Sequence, residues 1–165
     1  MADHFFNNCY ENSGFELLSG KPVFTGKILG GCIDSIYDIF DNSRFEDTVS
    51  LCKKYDLFPS LDEWRNKILL LETSENKPEP KLYRKIIGAL KYYGIFDVLS
   101  GVLVGKPQDE VYYEEYKQIL LEEIGDKDLS VVYNINVGHA TPRCTIPFGV
   151  EANVNVDKQV ITFDN

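Results

Sequence analysis

The chain has 165 residues, 44% of them hydrophobic and 26% charged, the balance of a single globular domain. Disorder, collagen-like repeats and coiled coil are excluded as its main state. Its 26 acidic residues outweigh 17 basic ones for a net charge of −9, and lysine and arginine are not clustered, so neither nucleic acid nor an anionic membrane is an expected partner.

The elements follow in chain order. Residues 1–13 are polar and irregular, and residues 14–165 form the domain. Pro22–Thr25 reads as a short strand, and Gly30-Gly31 as a tight turn where glycine permits close packing. Ile33, Ile36, Tyr37 and Phe40 then give one apolar helical face. Short helical turns are expected around Glu46–Tyr55 and after Pro59-Ser60, the second carrying Trp64.

Lys67–Leu71 is the clearest strand and ends at Glu72; its near-continuous apolar run suits a strand covered on both faces. Thr73–Pro80 is a polar loop. Pro80 starts a helix whose stripe runs through Leu82, Tyr83, Ile86, Ile87 and Leu90 to Gly94. Val102–Val104 is a strand, and Asp109 opens a helix bearing Tyr112, Tyr116, Ile119, Leu120 and Ile124. Ser130–Asn136 is a strand that runs into Gly138-His139, and the tail alternates as a hairpin turning near Asp157-Lys158. Strands alternating with helices, closed by a hairpin, predict an α/β domain with a mixed sheet and flanking helices.

The longest run of large apolar residues, Ile68 to Leu71, falls far short of the roughly 18 that a spanning helix needs. The first residues lack the basic and apolar regions of a signal peptide, so a cytoplasmic protein is expected. Cys9, Cys32, Cys52 and Cys144 include no Cys-x-x-Cys pair, which suggests reduced thiols. His4 and His139, the only histidines, supply a metal site poorly, and no metal or cofactor is expected. Gly30-Gly31 lacks the framework of a dinucleotide or triphosphate loop.

Two ionisable residues end apolar strands. Glu72 follows four large aliphatic residues, and His139 follows Val131–Val137 through Gly138. Ligands of α/β sheets gather at the carboxyl ends of strands, and a carboxylate bonded to an imidazole is the base-and-orienter part of a nucleophile triad. Position alone leaves open a surface carboxylate and an ordinary loop histidine. Cys144 and Cys32 read mainly as small buried hydrophobes, with a cysteine nucleophile as the alternative. The tyrosines at 112, 113 and 116 read as helix face and core, and the Glu114-Glu115 and Glu122-Glu123 pairs as a solvated face.

Five segments occur together in order: Lys27–Cys32, Trp64-x-x-Lys67 through Leu71-Glu72-Thr73-Ser74-Glu75, Gly94-Ile95-Phe96 with Gly101–Gly105, Gly138-His139-x-x-Pro142, and Pro147-Phe148-Gly149-Val150. Over residues 14 to 163 the chain resembles the C-terminal domain of the LD-carboxypeptidase family, nearest its microcin C self-immunity branch. The resemblance implies a compact swivelling β/β/α domain of a serine peptidase with a Ser-Glu-His triad. It matches Glu72 to the triad acid and His139 to the base, with L,D-linked muropeptide tails or peptidyl and aminoacyl nucleotides as substrates. The family's serine lies on a Gly-x-Ser type elbow of an N-terminal domain, and no serine here has glycine two positions before it. The expectation is a domain without its nucleophile, inactive alone, with an apolar face left open through which a homodimer can form. A non-catalytic binding or structural module of the same fold is the competing expectation.

Overall fold

The computed structural model describes residues 12–42, 44–125 and 128–164. Its strands are β1 (Glu16–Ser19), β2 (Val23–Cys32), β3 (Ile68–Glu72), β4 (Gly101–Gly105), β5 (Ser130–Ile135), β6 (Glu151–Asn155) and β7 (Val160–Phe163). Among the described residues, the α-helices are α1 (Ile33–Tyr37), α2 (Thr48–Lys54), α3 (Leu61–Trp64), α4 (Pro80–Tyr93) and α5 (Tyr113–Ile124).

The strands make one mixed sheet in the order β1-β5-β4-β3-β2-β6-β7. Strands β2 to β5 are parallel neighbours in chain order, so their crossovers wind one way and lay the helices on one face. On that face Leu69, Leu71, Val102, Val104, Val131 and Tyr133 pack against Ile33, Trp64, Ile86, Ile87, Leu90 and Leu120. Among the described residues no α-helix lies on the opposite face, which is covered by the sheet itself. Residues Ile28–Cys32 of β2 pair with β3, whereas Val23–Lys27 pair with β6. This change of partner carries the β6–β7 hairpin away from the parallel strands, and Ala152, Val154 and Val156 close a second core with Ile28, Ile68, Leu70, Leu103 and Val132. The α/β class with a mixed sheet, flanking helices and terminal hairpin is as the sequence predicts.

Local chemistry accounts for the helix ends. The Ser60 hydroxyl accepts from the Glu63 N–H, and the Glu63 carboxylate accepts from the Ser60 N–H, a capping box that starts α3 and delivers Trp64 into the core. Pro80 occupies the first turn of α4, and Gly94 ends it in the left-handed conformation. Tyr83 of α4 stacks on Tyr116 of α5 with ring centroids 4.0 Å apart. Outside them Arg84 bonds Glu122 at 2.5 Å and Glu123 at 2.8 Å, tying the solvated face of α5 to α4.

Three expectations change. Gly30 and Gly31 lie inside β2, which runs on to Cys32. Gly30 does permit close packing, but in a strand: a Cβ there would collide with the Leu70 carbonyl. Asp109 does not open α5. It sits in a 3-10 turn over Gln108–Glu110; its φ is left-handed, as are those of Glu110 and Tyr112, and regular helix begins at Tyr113. The segment before Pro22 contains a strand, β1, that the sequence reading lacks. Of the irregular segment expected at 1–13, residues 1–11 with His4 and Cys9 lie outside the described residues.

Candidate active site

Glu72 is the last residue of β3. Strand alternation places it on the face of Ile68 and Leu70, away from the helices, with its side chain 11% exposed. Two strands away the chain leaves β5 and must cross above it. Gly138 makes the crossing possible. Its φ is 91°, and a Cβ there would lie 2.5 Å from Glu72 Oε2 and 2.7 Å from Glu72 Cβ. Gly105, at the end of β4, is the other narrow point: a Cβ would sit 3.0 Å from Glu72 Cβ and 2.8 Å from the Val137 carbonyl. Arg143 holds the turn by donating to the Gly138 carbonyl at 3.3 Å.

The next side chain, His139, points back at the sheet. Its Nδ1 lies 2.8 Å from Glu72 Oε2. Its Nε2, on the outward edge of the ring, lies 3.1 Å from Glu75 Oε2. The loop that carries Glu75 is fixed one residue earlier. The Ser74 N–H donates to Asp34 Oδ2 at 3.1 Å, and both Thr73 and Ser74 are buried.

The ring thus hydrogen-bonds one carboxylate through Nδ1 and faces a second across Nε2, an arrangement that favours its protonated form. The hydrogen bond to Glu72 raises the His139 pKa above its ordinary 6.5; partial burial opposes it, and the charges of Glu72 and Glu75 add to it. Glu75 is the residue that sequence reasoning missed. It passed as part of a polar loop, although its spacing of three residues from Glu72 is visible.

The cysteines sit otherwise. Burial pushes the Cys32 thiol up, and the carboxylates of Glu72 and Asp34 reinforce this, the opposite of an activated thiolate. The exposed Cys144 directs its sulfur to the Asn136 carbonyl at 3.0 Å. Cys32, Cys52 and Cys144 form no disulfide. Among the described residues no group of three or more His, Cys, Asp or Glu could hold a metal ion, and no helix is long and apolar enough to cross a membrane. Tyr116 is buried and Tyr112 and Tyr113 are half-buried against the core, as helix face and core residues should be.

Residues 25–154 match the LD-carboxypeptidase C-terminal domain. A Treponema pallidum protein assigned as a carboxypeptidase is 25% identical over 153 residues, covering 92% of this chain and 40% of that protein. A second such protein, from Streptomyces coelicolor, is 32% identical over 71 residues, 43% of this chain and 23% of its own length. Among solved structures, an MccF-like protein from Streptococcus pneumoniae in complex with AMP superposes with a TM-score of 0.92 at 57% identity, over 94% of this chain and 45% of that one. MccF in complex with glutamyl sulfamoyl guanosine shares the fold, with a TM-score of 0.70 at 21% identity over 94% of this chain and 42% of that one. The chain thus spans less than half the length of each of these proteins. Because the family match covers most of its residues and the folds agree, this chain belongs to the LD-carboxypeptidase C-terminal domain family.

Proposed function

We propose that this domain supplies the acid and the base of a Ser-Glu-His triad that hydrolyses an amide bond. The observation that carries the reading is the 2.8 Å contact between Glu72 Oε2, at the carboxyl end of β3, and His139 Nδ1, on the turn that follows β5. Glu72 accepts the Nδ1 proton, fixes the ring's tautomer and stabilises the imidazolium when it forms. His139, once deprotonated at Nε2, takes the proton of a serine hydroxyl and later returns it to the leaving amine. The serine and its oxyanion donors come from an N-terminal domain outside these 165 residues, since no serine here has the elbow pattern.

For substrate, an aminoacyl or peptidyl nucleotide is the reading best supported, because the Streptococcus pneumoniae relative at 57% identity is in complex with AMP. L,D-linked muropeptide tails are the family's other substrate class. The domain works in the cytoplasm on this reading. Exposed Phe45, Leu51, Tyr55 and Leu57 surround α2, which buries none of its own residues, and this apolar surface is where a homodimer of the isolated domain would form.

The test is hydrolysis of an aminoacyl sulfamoyl adenosine and of an L,D-tetrapeptide. The chain alone is expected to cleave neither, and a protein joining it to a family N-terminal domain is expected to cleave one. In that two-domain protein His139→Ala should lower kcat by roughly 10^4- to 10^6-fold. Cleavage by the chain alone, or full activity of the two-domain His139→Ala variant, overturns the reading. A folded two-domain protein that binds but cleaves neither substrate points instead to a binding module.

A further inference from the structure

We propose that Glu75 is a positioning residue for His139, holding the ring's Nε2 edge until the nucleophile's hydroxyl displaces it. The proposal rests on the reading of His139 as the base. The two carboxylates that flank the ring are not equivalent. Glu72 is 11% exposed at the end of a central strand, whereas Glu75 is 66% exposed on the loop beyond it. Glu72 therefore belongs to the rigid part of the site. Glu75 holds the nitrogen that a general base must turn toward its nucleophile.

The two states exclude each other. A protonated ring whose Nε2 faces the Glu75 carboxylate at 3.1 Å has no lone pair there to receive a serine proton. For catalysis the Glu75 carboxylate must move off Nε2 and the ring must lose that proton to solvent. The loop is built to let the side chain do this alone, because Ser74 is anchored to Asp34 through its N–H. Glu75 thus sets how readily the resting ring deprotonates and keeps it oriented toward the missing hydroxyl.

The other charged or titratable groups around the ring work differently. Glu72 faces it from β3, and Cys32 is the register partner of Glu72 on β2. Asp34 on α1 is engaged with Ser74, and Arg143, on the segment after His139, donates to the Gly138 carbonyl. Glu75 is the ionisable group among them that meets Nε2.

Nitrogen-15 long-range NMR of the chain itself tests this, with His4→Gln used to assign the only other histidine. In Glu75→Gln the His139 titration midpoint should fall by about half a pH unit, as for an exposed charge pair, with the Nδ1 signal still reporting its bond to Glu72. Glu75→Asp, which keeps the charge, should lie between the two. If the glutamine variant does not fold, added salt should lower the wild-type midpoint by screening the Glu75 charge. Midpoints that respond neither to substitution nor to salt overturn the proposal. That result would leave the Glu72–His139 reading standing, whereas a two-domain protein without hydrolysis would remove that reading whatever the titration shows. In the two-domain protein the acid limb of kcat/KM should move to lower pH in Glu75→Gln; an unmoved limb counts against Glu75.

Discussion

Gly138 decides whether His139 can meet Glu72 at all. Its left-handed φ and the space that a Cβ would take from Glu72 both exclude a side chain. Gly138→Ala should therefore push the turn off the sheet and break the 2.8 Å contact. We expect kcat/KM of a two-domain protein to fall about 100-fold, as a displacement of roughly 1 Å would cause. Unfolding free energy should fall by only about 1–3 kcal/mol. Kinetics and melting of the same variant check both; an unchanged kcat/KM would show that the turn does not set the geometry. At this scale the sequence was informative where a polar residue ended an apolar run, as Glu72 and His139 do. It could not show that Glu75 returns to the ring, because that contact depends on where Asp34 anchors the loop.

At the scale of elements, β3 and α4 declare themselves, the first as four aliphatic residues in a row and the second as a stripe bounded by Pro80 and Gly94. Elements that depend on their neighbours do not. Gly30-Gly31 reads locally as a break, yet Gly30 is needed inside β2 because the backbone of Leu70 lies against it. The four residues of β1 gain their place from antiparallel pairing with β5, which no local pattern announces. Short α3 depends on its capping box, and through Trp64 it seals one side of the helix-face core. Ser60→Ala should lower the unfolding free energy by about 1 kcal/mol, measurable by chemical denaturation. A variant as stable as the parent would show that packing of Trp64 alone holds this turn.

Across the whole molecule, one-way winding of the parallel strands puts every crossover on one face. The opposite face then needs the bent β2 and its hairpin as a cover. The order of elements made this α/β plan legible, but the change of partner within β2 was not, since it occurs inside one uninterrupted strand. The same plan leaves the α2 surface apolar and open. Light scattering of the chain alone is expected to return the mass of a dimer, and a clean monomer would remove the homodimer from this account.

On the proposed mechanism Glu72 and His139 act as one catalytic unit on a serine from another domain. A double-mutant cycle on kcat in the two-domain protein addresses it directly, with Glu72→Gln, His139→Ala and the pair together. Groups that work through each other are strongly non-additive. Glu72→Gln alone is expected to cost about 10^4-fold, and adding it to His139→Ala is expected to cost nothing further. Losses that multiply in the double variant would mean that the two residues act independently, and would overturn the shared catalytic role.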